Sequence, residues 1–229
     1  MLITDWMIEN VITVSPKTSL LHCKALYKEH KINHLPVVDE ERKVLGLVSS
    51  SDIRAFVPQR STGLEILEAL DVMSETVVSE LMVKNPYCIN YNNTVEQAAQ
   101  VMFDRHVGCL PVIDENQRLI GIITGWDVFR ALLSISGADQ PGDEAGFILP
   151  NEPGTVRELL EILKGHGLRT VSVLSTADHG GMRQVKIRFK EQSAGDADKA
   201  IEQFKQHSGL RYWLRKGEVF IQEGAPRKG

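Results

Sequence analysis

Cysteine is scarce in this chain. The three present, Cys23, Cys88 and Cys109, stand in neither CxxC nor CxxH spacing, which argues against a disulfide framework and a zinc site. His22, His30, His106, His166, His179 and His207 also lack metal-ligand spacing, and no metal is expected. No apolar run is long enough to cross a bilayer, and the opening MLITDWMIEN lacks the basic-then-apolar pattern of a secretory signal. The expected place is the cytoplasm, with no membrane partner.

Positive charge is not in excess either. The formal net charge is -4, and 14 of the 26 basic and 10 of the 30 acidic residues fall from Gly146 onward, leaving 12 and 20 before it. The first part is therefore acidic, a poor match for nucleic acid, whose affinity comes mostly from phosphate neutralisation. Catalytic constellations are missing too. Asp39–Glu41 and Asp114–Glu115 read as turn residues between strands, not as a paired acid and base, and Cys109 has no paired base. The GHGLR stretch at 165–169 is better explained by a helix C-cap glycine than by a phosphate loop. No catalytic residue is expected, and the chain is read as non-enzymatic.

What is present is a repeat. GLVSSSD, Gly46 to Asp52, returns as GIITGWD, Gly121 to Asp127, at an offset of 75 (127 − 52 and 121 − 46). HLPVVDEE from His34 meets CLPVIDEN from Cys109, and Met7 and Asn10 meet Met82 and Asn85, without a gap. Two copies of one supersecondary unit should pack together, because neither buries its apolar face alone.

Each copy reads as strand, helix, strand, strand, helix. In the first, Met1–Asn10 is a lead-in helix and Val11–Val14 a strand. Thr18 or Ser19 caps a helix ending near His30, Leu35–Val38 and Val44–Val48 are strands, and a helix starts at Ser51 or Asp52. ILEALDVM within Phe56–Ser79 has a helical apolar face, and Pro58 and Gly63 punctuate that segment. The second copy gives a strand at Tyr87–Ile89, a helix from Thr94 to about His106, strands at Leu110–Ile113 and Leu119–Thr124, and a helix over Asp127–Leu133. SGADQPGDEAG, Ser136 to Gly146, reads as a break without regular structure.

The remainder gives a short strand at Gly146–Leu149, an NEPG turn, a helix over Val156–Lys164, a strand at Val171–Leu174 and a turn at Asp178–Gly181. An alternating strand holds Val185, Ile187 and Phe189, followed by a helix over Ala197–Gln206 and a closing strand at Tyr212–Leu214. The fold class is α+β: a β-α-β-β-α pair, then a ferredoxin-like βαββαβ unit. Boundaries fall at 1–60 and 80–135 for the copies, 61–79 and 136–145 for linkers, and 146–224 for the last domain.

The duplicated motif runs a strand through a hydroxyl residue into an acid at a helix start. Amides at such an end favour an anion, Ser49 or Thr124 adds a hydroxyl, and the carboxylate of Asp52 or Asp127 can accept bonds from vicinal hydroxyls. That combination suits a ribose. The simpler reading is that both acids are helix caps; in-phase duplication favours binding.

HLPVVD and CLPVID, each followed by G-h-h-[ST]-x-x-D, in tandem, resemble a pair of CBS domains, from the N-terminus to about Leu133. The C-terminal stretch resembles an ACT domain, with NEPG at its first strand–helix turn. The order CBS–CBS–ACT is similar to the acetoin-utilisation protein B family. The resemblance implies adenine nucleotide (AMP, ADP or ATP) as a regulatory ligand in the cleft between the modules, with each acid working beside residues of the opposite repeat. One site would combine Ser49, Ser51 and Asp52 with Met82, Tyr87, Gly108 and Cys109; the other Thr124, Trp126 and Asp127 with Met7, Ile12, Asn33 and His34. Arg54 and Arg130 could add cationic contacts. Trp126 either stacks on a base or fills the cleft. Asn151, Glu152 and Gly154 lie where ACT domains often bind an amino acid, although Asn151 also fits a helix N-cap, and dimerisation ranks above amino-acid sensing. A homodimer and a regulated enzyme are the expected protein partners; the alternative is a ligand-free module that holds an enzyme.

Overall fold

A computed structural model describes residues 1–56, 63–177, 180–192 and 196–223. Pro58, the first part of the Asp178–Gly181 turn, and residue 224 at the expected domain end lie outside the described residues. The chain divides into two compact units, Met1–Ala131 and Leu132–Gly229.

In chain order the first unit holds a 3-10 turn (Ile3–Asp5), α1 (Leu20–His30), β1 (His34–Val38), β2 (Val44–Ser49), α2 (Ser50–Phe56), α3 (Gly63–Glu75), α4 (Val78–Leu81) and β3 (Val83–Lys84). It continues with β4 (Ile89–Asn90), α5 (Val95–Arg105), β5 (Cys109–Ile113), β6 (Leu119–Thr124) and α6 (Gly125–Ser136), which runs on into the second unit. The repeat is visible down to its caps. Ser19 Oγ accepts the His22 N–H and Thr94 Oγ1 the Gln97 N–H, both at 3.3 Å, so α1 and α5 begin on equivalent hydroxyls. Both end in a left-handed residue, Lys31 (φ 54°) and His106 (φ 53°). The β1–β2 and β5–β6 turns share the same kink at Arg42 and Gln117, stabilised by Asp39 and Asp114 side chains that accept backbone N–H bonds at 2.7 and 2.8 Å.

Each copy builds a three-stranded sheet, β1-β2-β3 and β4-β5-β6. The segments leading into the copies are exchanged. Ile3 is buried with Val95, Leu110 and Ile123 of the second copy, while Val78 is buried with Leu20, Leu35 and Val48 of the first. Backbone bonds follow the same exchange: Val95 N–H to Met1 O and Ile8 N–H to Ile122 O, both at 2.9 Å, against Val78 N–H to Thr18 O at 2.7 Å.

This exchange explains one departure from the sequence expectation, and the others are local. Met1–Asn10 is not a helix beyond Ile3–Asp5, because its polar backbone groups are spent on the second copy. Val11–Val14 is reduced to one bridge, Val14 to Val37, and the strand expected at Tyr87–Ile89 sits at Ile89–Asn90. The helical stretch expected at ILEALDVM within the 61–79 linker is α3, and its Met73 joins Val78 in the first copy's core. Helix α2 starts at Ser50, and α6 spans Gly125–Ser136, longer than the Asp127–Leu133 expected.

The second unit continues with β7 (Asp143–Pro150), α7 (Thr155–Gly165), β8 (Arg169–Ala177), β9 (Met182–Lys190), α8 (Ala197–Lys205), β10 (Leu210–Arg215) and β11 (Glu218–Ile221). The strands form one antiparallel sheet ordered β11-β10-β7-β9-β8. Alternation in β9 buries Val185, Ile187 and Phe189 against Leu159, Leu163, Ile201 and Phe204 of the two helices.

Three expectations are corrected here. The stretch expected to lack regular structure already contains the start of β7, which runs eight residues in the middle of the sheet with Pro150 paired to Met182. Asp143 and Glu144 look like linker residues but are buried against cations: Asp143 pairs with Arg215, and Glu144 with Lys186 (2.9 Å) and Arg188 (3.3 Å). Strand β8 is nine residues long where Val171–Leu174 was expected. Tyr212–Leu214 does not close the sheet, because Lys216 (φ 51°) and Gly217 (φ 86°) turn the chain into a fifth strand. Two successive positive φ values are what a two-residue hairpin turn needs.

Candidate functional site

Both copies of the motif place an acid three residues beyond the end of a strand, and both fold it back onto that end. Ser49 donates its N–H (2.8 Å) and its hydroxyl (2.7 Å) to Asp52 Oδ2, while Ser49 Oγ accepts the Asp52 N–H at 3.2 Å. Thr124 likewise donates its N–H (2.9 Å) and hydroxyl (2.6 Å) to Asp127 Oδ2. The acids are not the N-cap residues of the simpler reading: Asp52 and Asp127 are the third residues of α2 and α6, and their side chains reach back to the N–H of Ser49 and Thr124, which precede the helices. One oxygen of each suffices for this contact, so it is compatible with a second role.

The two surroundings differ. Asp52 is half-buried, and Ser51 Oγ lies 2.6 Å from Ser49 Oγ. Asp127 is 4% exposed, and its Oδ1 accepts from Arg130 Nη1 at 3.4 Å. Arg54 instead donates from Nε to Ser50 O at 3.3 Å.

Of the residues expected near Asp52, Met82 packs over Gly46 of β2, so closely that a Cβ on Gly46 would overlap the thioether. Met7 lies over Gly121 of β6, in the copy of Asp127, in the same way. Asn33 and His34, expected with Asp127, also stand beside the first motif. Asn33 O accepts the Ser50 N–H (2.9 Å), its side chain meets Ser50 Oγ at 3.0 Å, and His34 pairs with Ser49 across the sheet. Gly108 and Cys109, expected with Asp52, neighbour the second motif: Gly108 O accepts the Gly125 N–H at 3.0 Å and Cys109 pairs with Thr124.

Sequence reasoning missed a buried residue bonded to the strand that carries the first motif. The Tyr27 hydroxyl donates to Val48 O at 2.8 Å. Burial above all raises its pKa, with the charges of Cys23, Asp52 and Cys109 as lesser causes. The equivalent of Tyr27 in the second copy is Met102 (27 + 75). Such a break in an otherwise close repeat is the signal that could have found it. Burial lowers the His34 pKa, partly countered by Asp52, and pushes the Cys109 thiol up to about 12. A thiol so hard to ionise is a poor nucleophile.

Tyr87 is half-exposed beneath the Arg105 guanidinium, 5.0 Å from its ring centre, and Ile12 packs against the first copy's core. Trp126 is 76% exposed, edge-on to Phe129 at 6.1 Å. In the second unit, Asn151, Glu152 and Gly154 are exposed at the turn before α7. The N-cap is Gly154 (φ 98°), not Asn151, whose N–H instead bonds Gly181 O at 2.8 Å.

Comparison with known proteins accounts for this duplicated architecture. The CBS domain model matches residues 3–59 and 78–134, and the chain belongs to the family of proteins built on a tandem pair of CBS domains. The crystal structure of CBSX2 in complex with AMP is 31% identical, with a TM-score of 0.50, over 58% of this chain and 97% of that one. The CBS domain pair of protein MJ0100, in complex with 5-methylthioadenosine and S-adenosyl-L-methionine, is 26% identical with a TM-score of 0.50, over 61% and 98%. Some relatives are enzymes that carry CBS domains. A homoserine O-acetyltransferase of Methanohalobium evestigatum is 32% identical over 57% of this chain and 24% of its own length. The chain thus spans about a quarter of that enzyme and 60% of the chloroplastic CBSX2 of Arabidopsis thaliana. No helix among the described residues is long and apolar enough to cross a membrane.

Proposed function

We propose that this protein is a non-enzymatic regulator that binds an adenosine-containing ligand in the CBS pair, its ribose held by a motif acid. The observation that carries this is the acid's geometry. The strand end grips a single oxygen of the carboxylate, which fixes its orientation, and at Asp52 the other oxygen accepts no hydrogen bond among the described residues. A preoriented carboxylate with a spare oxygen is what a vicinal diol requires. Relatives crystallised with AMP and with S-adenosyl-L-methionine support the ligand class. AMP, ADP and ATP are the candidate signals, and S-adenosyl ligands join them.

Binding would favour one arrangement of the two copies, by the difference in affinity for the alternatives. The second unit, whose β10-β7-β9-β8 order and two helices suit an ACT-like domain, is proposed to dimerise the chain in the cytoplasm or sense an effector, and to relay the choice to a partner enzyme. The domain order is the ground for suggesting acetoin utilisation as the process. The test is the thermal midpoint of the purified protein with AMP, ADP, ATP, S-adenosylmethionine and NAD in turn. A ligand at a hundredfold excess over its dissociation constant adds roughly 2.7 kcal/mol to the folded state, and one of them should raise the midpoint. Indifference to all of them would leave a ligand-free module that holds an enzyme.

A further inference from the structure

Although the repeat is close, the two motif acids are not equally available. Asp127 is nearly buried, and its second oxygen already accepts a bond from Arg130. The Arg130 guanidinium carbon lies 5.9 Å from the ring centre of Trp6, on the lead-in segment that packs into this copy. An indole face is the best aromatic support for a guanidinium. The equivalents in the first copy are Ala55 (130 − 75) and Leu81 (6 + 75), so neither the cation nor its aromatic support is repeated there.

We infer that Arg130, backed by Trp6, is a latch on the second motif, and that the pair therefore takes one adenosyl ligand, at Asp52, and not two. This rests on the reading of the motif acids as ribose acceptors. A diol reaching Asp127 must displace a charge-assisted bond from a carboxylate already withdrawn from water, whereas Asp52 is half-open. Arg130 is itself 67% exposed in its side chain, so it can be removed without opening the core, and alanine there copies what the first copy carries.

The experiment is equilibrium dialysis of the full chain with labelled adenosine at saturation. Adenosine presents the ribose without a phosphate that Arg130 could attract. One adenosine per chain is expected for the parent, none for Asp52→Asn, two for Arg130→Ala and one for the double variant, now at Asp127. Two per chain in the parent, retained binding in Asp52→Asn, or one per chain in Arg130→Ala would overturn the latch while leaving ribose binding intact. No adenosine on either the parent or Arg130→Ala would overturn the ribose-acceptor reading, and the latch with it.

Discussion

Ile3 and Val78 hold the same position in the two copies, and each is fully buried in the core of the other copy. The exchange makes the pair a single unit: residues entering one copy complete the other. It also places Met82 over Gly46 and Met7 over Gly121, the glycines that open the two motifs.

Replacing Gly46 with alanine tests that contact. Its Cβ would overlap Met82, and overpacking of this kind costs about 1–3 kcal/mol. Urea unfolding should show a loss in that range, reduced when Met82→Ala accompanies the change. A neutral Gly46→Ala would mean that the Met82 side chain is not held over Gly46.

In the second unit Glu144 holds Lys186, Arg188 and the Tyr212 hydroxyl, the last at 2.8 Å. Glu144→Gln leaves two cations without their anion beside the central strand. Breaking a buried pair typically costs about 3–5 kcal/mol, and Tyr212→Phe should cost only about 1 kcal/mol. Denaturant midpoints for this unit's transition measure both. Equal, small losses would contradict a buried cluster that secures β7.

His34 supplies a pH dependence. Burial depresses its folded pKa below the usual histidine value, so the unfolded chain binds the proton more readily. The associated stability is complete above about pH 6.5, the unfolded value, and is lost as pH falls through the folded pKa. The thermal midpoint should fall between pH 7.5 and pH 5 more steeply in the parent than in His34→Gln. Asp52→Asn should lower the His34 pKa further in an NMR titration, since it removes the countering charge. An unchanged or raised value would place His34 outside the influence of Asp52.

Much of the first unit was legible because its signals are local and doubled. The hydroxyl caps Ser19 and Thr94, the turn aspartates Asp39 and Asp114, and the G-h-h-[ST]-x-x-D elbows each act within a few residues and recur in phase. The lead-in exchange was not legible. Ile3 and Val78 look alike as apolar residues, and nothing local says which core each enters. Tyr27 and the Arg130–Trp6 pair escaped for the opposite reason, since they are places where the repeat fails. In the second unit Asp143 and Glu144 carry the composition of a linker; only distant Arg215, Arg188 and Lys186 make them strand residues. The KG turn before EVFI was local and readable, and it gives the fifth strand.

The most direct measurement is a crystal structure of the chain with a bound adenine ligand. The account predicts ribose hydroxyls within about 2.5–3.0 Å of the Asp52 carboxylate, with Ser49 still donating to Oδ2. A ligand bound elsewhere, or bound in the pair with its ribose turned away from Asp52, would contradict it.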